Sequence, residues 1–166
     1  NKQYTDPASV KEALADVGGG RNIQFIRLAR YPQYVGKRLS EAAQAEGISE
    51  VDFFIRIADE EVGIIGHTMS EPDLRTFYQQ PWVMVASDGG VNNSHPRGAG
   101  TFPRVLGRFV REQQWLTLSE AIRKMTSLPA SRLGLADRGR IAVGAKADLV
   151  LFDPATIIDR STFEFP

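Results

Sequence analysis

The sequence contains no cysteine and only two histidines, His67 and His95, among its 166 residues. Without cysteine the chain has neither a disulfide nor a thiolate metal site, which fits a reducing cytoplasm. Because 20 basic residues balance 20 acidic residues, no net charge attracts the chain to nucleic acid or to an anionic membrane. No apolar run is long enough to cross a bilayer. We therefore expect a cytoplasmic protein without a nucleic-acid or membrane partner.

Two further features are missing from the sequence. The densest glycine run, Gly18 to Gly20, follows a predicted helix rather than preceding one, so it does not form a phosphate-binding loop. The chain also begins at Asn1 without an initiator methionine and ends abruptly on "FEFP". We expect it to be a piece of a longer protein, although its length suffices for one domain with a sizeable core.

Short apolar runs alternate with helical patterns in the first half of the chain. Strands are predicted at 22–29, 62–69 and 82–88, and helices at 6–17, 38–47, 49–61 and 70–80. Ser49 with Asp52 approximates a capping box, and Ser70 is a candidate cap for the helix that carries Pro72 in its first turn. Because the strands lack polar alternation and are separated by helices, the pattern predicts an α/β fold with a parallel sheet covered by helices.

The second half of the chain has a different order of predicted elements, with helices first and short strands after them. Helices are predicted at 101–114 and 117–135, the second beginning with a capping box from Thr117 to Glu120 and interrupted at Pro129. Two short strands separated by Gly144 follow within 139–153. This order predicts a partial barrel region over residues 1–138 and part of a small β domain over residues 139–166.

Asp88 ends the apolar run in "VASDGG". In α/β folds the working residues sit at the carboxyl ends of parallel strands, which favours a functional carboxylate. The alternative is an Asx-turn, in which Asp88 caps its own backbone before Gly89 and Gly90. Position alone leaves both interpretations open.

Longer motifs from Trp82 onward carry a family resemblance. The segments "SDGG", "HPRGAGTFPRVLGRFV" and "LSEAIRKMTSLPASRLGLADRGRIAVGAKADLVLFDPATIID" resemble the carboxyl-terminal region of the N-acyl-D-amino-acid deacylases, the D-aminoacylase branch of the amidohydrolase superfamily. The resemblance implies a (β/α)8 barrel with a zinc site, plus a small β domain built from both chain ends. About three of the eight barrel strands are visible, so we expect an open α/β layer whose unpaired edges favour self-association.

The resemblance assigns Asp88 to the Asp that ends the eighth barrel strand, where the family places a metal ligand that also shuttles protons. Zinc lowers the pKa of a bound water, and a nearby carboxylate can accept its proton and pass it to the departing amine. The family's His-x-His pair is missing, because the sequence holds only His67 and His95. We therefore expect the other zinc ligands to lie outside this chain, and the isolated chain to be inactive.

Arg97 and His95 belong to the "HPR" loop that the family places over the active site. Arg97 is the candidate clamp for the substrate carboxylate, because a guanidinium can hold two oxygens at once; a loose surface ion pair is the alternative. His95 is a candidate substrate contact or a structural residue of the loop. His67 is interpreted as a structural histidine, and Tyr31 and Tyr34 as packing residues, although the family has substrate contacts near these tyrosines.

The sequence thus predicts part of a zinc-dependent hydrolase that cleaves N-acyl-D-amino acids. A fragment of a cyclic amidohydrolase, such as a hydantoinase or dihydroorotase relative, is the first alternative, since the "MTSLPA" and "ADLVLFD" segments do not separate these enzymes. A non-catalytic interaction module is the second.

Overall fold

The computed structural model describes residues 5–90, 95–163 and 165. The chain divides into two compact units, Asn1–Met69 and Ser70–Pro166. The predicted boundary between residues 138 and 139 concerns the organisation of the longer protein, and it stays a prediction. In the described part of the chain, no helix has both the length and the apolar character needed to cross a membrane.

Over residues 5–69, the first unit contains three α-helices and two strands. In chain order these are α1 (Pro7–Asp16), β1 (Ile23–Leu28), α2 (Leu39–Glu46), α3 (Glu50–Ile57) and β2 (Val62–Gly66), with short 3₁₀ turns at Gly20–Asn22 and Pro32–Tyr34. Asp6 caps α1 by accepting from the Ser9 amide at 2.9 Å, and the predicted cap Ser49 accepts from the Asp52 amide at 3.1 Å. Gly47 ends α2 in the left-handed conformation, with a φ of 69°.

β1 and β2 are antiparallel, so the prediction of a parallel sheet is wrong for these strands. Ile23 pairs with Gly66 and Leu28 pairs with Val62, with a bulge between Phe25 and Arg27. The reason lies in the connection, since two helices, α2 and α3, separate the strands. The chain reverses between successive elements, from β1 to α2, from α2 to α3 and from α3 to β2, and these three reversals leave β2 antiparallel to β1. The mixture of helix and strand still supports the α/β class.

Aromatic packing around Phe53 organises the core of the first unit. The Phe53 side chain is fully buried, and its ring centre lies 6.1 Å from that of Phe25. Tyr31 and Tyr34 pack on the same ring at 5.6 and 5.7 Å, which confirms the packing role predicted for both tyrosines. The Tyr34 hydroxyl also donates to Glu46 at 2.7 Å.

The second unit is helical where the structure assigns regular elements. These are α4 (Glu71–Gln79), α5 (Arg97–Arg104), a π-helix (Val105–Glu112) that continues α5, α6 (Leu118–Met125) and α7 (Ser127–Arg132). Ser70 and Thr117 cap α4 and α6 as predicted, each accepting from a backbone amide three residues later. The predicted break at Pro129 falls at Thr126 instead, where φ and ψ are −131° and −84°.

The strands predicted at 82–88 and within 139–153 do not form. Residues 82–88 have no regular secondary structure; the Val83 amide closes a turn onto the Gln80 carbonyl at 3.2 Å. In the second segment the side chains of Ile141 and Leu151 are 92% and 100% exposed. A strand needs a hydrogen-bonded neighbour, and within residues 70–90 and 95–163 neither segment has one. The barrel and the appended β domain therefore stay predictions.

Val105 and Ala121 are fully buried at the centre of the second core, with Val85 and Phe109 beside them. The Trp115 ring stacks on Phe109 with a centroid distance of 4.4 Å. Trp82, by contrast, is 70% exposed.

The burial difference between two neighbouring phenylalanines makes a direct test of the first core. We expect Phe53→Ala to lower the free energy of unfolding by about 3–5 kcal/mol, because the truncation leaves a cavity in a fully packed site. Phe54→Ala should cost less, since that ring is only half-buried. Urea unfolding followed by circular dichroism measures both, and equal losses would contradict the packing described.

Candidate active site

Asp88 lies at the end of the irregular segment that leaves α4. Its side chain is 80% exposed, and its Oδ2 lies 2.5 Å from an Nη atom of Arg97. Arg97 is the first residue of α5, and its side chain is 48% exposed. The structure thus brings together two of the predicted site residues, one acid and one base, in the same ion pair.

His95 lies beside Arg97 through the backbone. The Arg97 amide donates to His95 Nδ1 at 3.0 Å, so the neutral imidazole carries its proton on Nε2. The His95 ring also packs edge-on against the Phe163 ring, with the two ring centroids 5.3 Å apart. These contacts are those expected of a residue that packs within the loop. They also determine which ring nitrogen of His95 carries the proton.

Ser87 and Gly89 bring the Asp88 segment against the start of α5. The Ser87 hydroxyl donates to the Arg97 carbonyl at 3.1 Å. A Cβ added at Gly89 would lie 2.9 Å from Gly98 Cα, so only glycine permits this approach. Neither residue was predicted from the sequence to belong to the site. The signal was present, because small residues flank Asp88 in "SDGG" and follow Arg97 in "RGAG".

A cleft of about 280 Å³ opens beside this loop. Arg97, Thr101 and Arg104 of α5 line it together with His95, Asp159 and Phe163. Its volume is just below the usual range for small-molecule pockets, which suits a group of amino-acid size. Two guanidinium groups on its walls favour an anionic ligand.

The two arginines of the cleft differ in how firmly they are held. Arg104 donates to Asp159 at 2.7 Å, and the Asp159 side chain is only 9% exposed. The partner of Arg97 is the far more exposed Asp88, and an exposed pair is worth only about 0–1 kcal/mol. A ligand carboxylate therefore displaces Asp88 from Arg97 more readily than it displaces Asp159 from Arg104.

Lys124 of α6 anchors the segment that leads to Asp88, a role that the sequence analysis missed. Its side chain is fully buried, and its ammonium donates to the carbonyls of Gln80 and Val83. Burial lowers the pKa of this lysine. The sequence signal for the burial of Lys124 was its spacing, since it follows Ala121 by three residues on the face of α6 that packs into the core.

His67 forms a hydrogen bond between its Nε2 and Gln24 Oε1 at 2.9 Å, and its amide donates to the Asn22 carbonyl at 2.7 Å. Burial lowers its pKa. These bonds, all within the first unit, are those expected of a structural histidine.

No group of three or more metal-binding side chains occurs in residues 5–90 and 95–163. Asp88, the predicted ligand, forms an ion pair with Arg97. The described residues do not by themselves fit a zinc ion, which requires three or four ligands arranged around it.

Comparison with known proteins identifies the family. The model of the amidohydrolase family matches residues 3–166, so the chain belongs to that family. An N-acyl-D-glutamate deacylase of Alcaligenes xylosoxydans xylosoxydans is 46% identical over 138 residues, which are 82% of this chain and 28% of the relative. A D-aminoacylase of the same organism is 42% identical over the same shares of the two chains.

A solved structure agrees with these relatives. The N-acyl-D-glutamate deacylase from Bordetella bronchiseptica, crystallised with zinc and a phosphonate inhibitor that mimics the tetrahedral intermediate, superposes with a TM-score of 0.79 at 36% identity. The match covers 97% of this chain and 32% of that one. The chain thus spans about a third of its relatives or less, and the predicted resemblance to the deacylase branch is confirmed.

Zinc affinity tests the metal-site geometry of the chain itself. We expect the 166-residue chain to bind zinc no more tightly than a single surface carboxylate does, and to show no amidase activity, because the described residues form no ligand cluster. Titration calorimetry measures the affinity. A submicromolar dissociation constant that Asp88→Ala abolishes would contradict this expectation.

Proposed function

We propose that this chain is part of a metal-dependent hydrolase that cleaves the amide bond of N-acyl-D-amino acids. The observation that carries the proposal is the contact of Asp88 with Arg97 at 2.5 Å, in a chain whose relatives are deacylases of acylated D-amino acids. This contact places a candidate proton acceptor beside a candidate carboxylate-binding group. Amide hydrolysis needs the first group, and recognition of the substrate carboxylate needs the second.

The proposal concerns the longer protein. Asp88 supplies one carboxylate, and the remaining ligands of a zinc ion would have to come from outside the described residues. The zinc-activated water, the (β/α)8 barrel, the small β domain over residues 139–166 and the inactivity of the isolated chain belong to this proposal. Self-association through strand edges is a separate hypothesis that the comparisons do not support. The steps assigned below are those of Asp88, Arg97 and His95.

Asp88 is assigned the proton transfers. Its carboxylate accepts the proton of the water that attacks the amide carbonyl, and it then passes the proton to the departing amine. An amine is a poor leaving group unless it is protonated, so the second transfer is as necessary as the first. The high exposure of the Asp88 side chain leaves it accessible to both water and substrate.

Arg97 is assigned to the substrate carboxylate. Its side chain lines the cleft, and its planar guanidinium can hold both oxygens of a carboxylate. When the substrate carboxylate replaces Asp88 as the partner of Arg97, the ion pair with Arg97 no longer opposes proton transfer to the Asp88 carboxylate. His95, on the same wall, carries its proton on Nε2 and can donate to the ligand, which is the contact we assign to it.

The two alternative functions predict different outcomes with different substrates. A cyclic amidohydrolase would open the ring of a hydantoin or a dihydroorotate, whereas a non-catalytic module would hydrolyse neither class of substrate. Assays of the longer protein with N-acyl-D-glutamate, N-acyl-L-glutamate and hydantoin separate the three. Preferential hydrolysis of the D-isomer supports the proposal, and hydrolysis of the cyclic amide alone would overturn it.

Replacing Asp88 tests its chemical role. In the longer protein we expect Asp88→Asn to lower kcat by about a hundred- to ten-thousand-fold, because the amide keeps the shape of the carboxylate but cannot accept the proton. Steady-state kinetics at measured zinc content provide the value. Asp148→Asn is the matched control, since Asp148 is also an exposed partner of an arginine but does not line the cleft. A variant that kept more than about a tenth of the wild-type kcat would identify Asp88 as a turn residue.

Replacing Arg97 tests the carboxylate clamp. We expect Arg97→Lys to lower kcat/KM for an N-acyl-D-amino acid by about ten- to a hundred-fold, mainly through KM, because lysine keeps the charge but loses the two-pronged geometry. The loss corresponds to roughly 1.5–3 kcal/mol, the contribution of a charge-assisted hydrogen bond.

The control for Arg97 is the same substrate with its carboxylate converted to an amide. Wild type and variant should process this neutral substrate at similar rates, since it lacks the anion that Arg97 binds. Equal slowing of both substrates would instead show that Arg97 supports the loop or the Asp88 segment.

A further inference from the structure

Lys124 is a buried charged residue with no part in the chemistry assigned above. The solvent-exposed fraction of the residue is 0%. Its Nζ donates to the carbonyl oxygens of Gln80 and Val83, the latter at 3.0 Å. Its own carbonyl accepts from the Val85 amide at 3.1 Å. Three hydrogen bonds, two from the side chain and one to the backbone, thus tie one residue of α6 to residues 80–85.

An ammonium group in a protein core needs an anion or several acceptors, because desolvation strongly disfavours an uncompensated charge. Glu120, one turn earlier on α6, provides the nearest carboxylate, with its Oε1 3.8 Å from Nζ. That distance exceeds a hydrogen bond, so the two carbonyls take the main share of satisfying the ammonium. The positions of residues 80 and 83 are therefore coupled to the position of Lys124.

Arg123 offers a natural comparison on the same helix. It also contacts the segment, donating to the Pro81 carbonyl at 2.6 Å. Its side chain is 36% exposed, however, and it pairs with Glu120 through two bonds of 2.9 Å. Water can replace the Arg123 contact, whereas it does not reach the bonds of the fully buried Lys124. The two neighbours differ in burial while both are long and cationic.

We propose that Lys124 is the positioning residue for Asp88. Val85, the last residue that Lys124 binds, precedes Asp88 by three positions, and Ser87, immediately before Asp88, donates to the Arg97 carbonyl. With both residues held, the backbone that leads into Asp88 has few ways to move, so Lys124 helps to fix the position of the Asp88 carboxylate. This inference rests on the proposed function for its catalytic consequence, but not for its structural one.

The structural consequence is measured by amide hydrogen exchange in the longer protein. Lys124→Met keeps an unbranched side chain, one atom shorter than lysine, but donates no hydrogen bond, so the Val85 amide should exchange at least about tenfold faster. The Phe109 amide reports the core, and it should change much less. Arg123→Met is the matched control and should leave both amides close to wild type. Unchanged exchange at Val85 in Lys124→Met would overturn the inference.

The catalytic consequence is measured by kinetics on the same variants at saturating zinc. A displacement of Asp88 by about 1 Å is enough to lower kcat on the order of a hundredfold, while KM should change little because Arg97 is untouched. Lys124→Gln, which is one atom shorter but still donates, should recover part of the loss. A Lys124→Met enzyme with the kcat of Arg123→Met would overturn the positioning role.

The two measurements remain separable if either part fails. A wild-type protein that hydrolyses no acylated D-amino acid refutes the proposed function, and the exchange of Val85 still decides whether Lys124 holds the segment. Should Lys124→Met fail to fold, Lys124→Gln decides both measurements: faster Val85 exchange with reduced kcat supports the role, and wild-type values in both overturn it.

Discussion

Hydrogen bonds between α6 and residues 80–85 determine the position of Asp88 in the candidate site. These residues have no sheet to order them within the described chain, so their backbone groups rely on a helix instead. The buried ammonium of Lys124 satisfies two carbonyls, and the main chain of α6 satisfies the Val85 amide. Because α6 itself packs into the second core through Ala121, the location of Asp88 depends on the same packing that stabilises the unit.

Helix ends were predictable because their determinants are local. Asp6, Ser49, Ser70 and Thr117 each satisfy a backbone amide three residues later, and a sequence of four residues contains all that this interaction requires. The start of α2 departs from this rule. It begins at Leu39 without a side-chain cap, and the Arg38 amide donates to the Glu41 carboxylate.

Strands were less predictable because a strand depends on a partner far away in sequence. The apolar character of β1 and β2 was sufficient to locate them, but not to orient them, since the orientation follows from the two helices between them. The segments 82–88 and 139–153 have strand-like sequences and no strand beside them in the part of the chain that the structure describes. Composition alone does not reveal whether a neighbour is present.

The site residues show the same difference between local and long-range determinants. Asp88 and Arg97 were found from residue type, position and family motif, and the structure adds that they touch. Lys124 was not found, because a lysine among helix-forming residues usually lies on a solvated surface. Its burial follows from contacts 41 and 44 residues away, which no local pattern contains.

The exposed segment within 139–153 has a consequence for handling the protein. Irregular backbone without a neighbouring strand fits readily into the active site of a protease, and this stretch carries Arg140 and Lys146, after which trypsin cleaves. Val143, Leu149 and Val150 expose apolar side chains along the same stretch. The segment thus combines two trypsin cleavage positions with an exposed apolar surface, so protease inhibitors matter when this chain is purified.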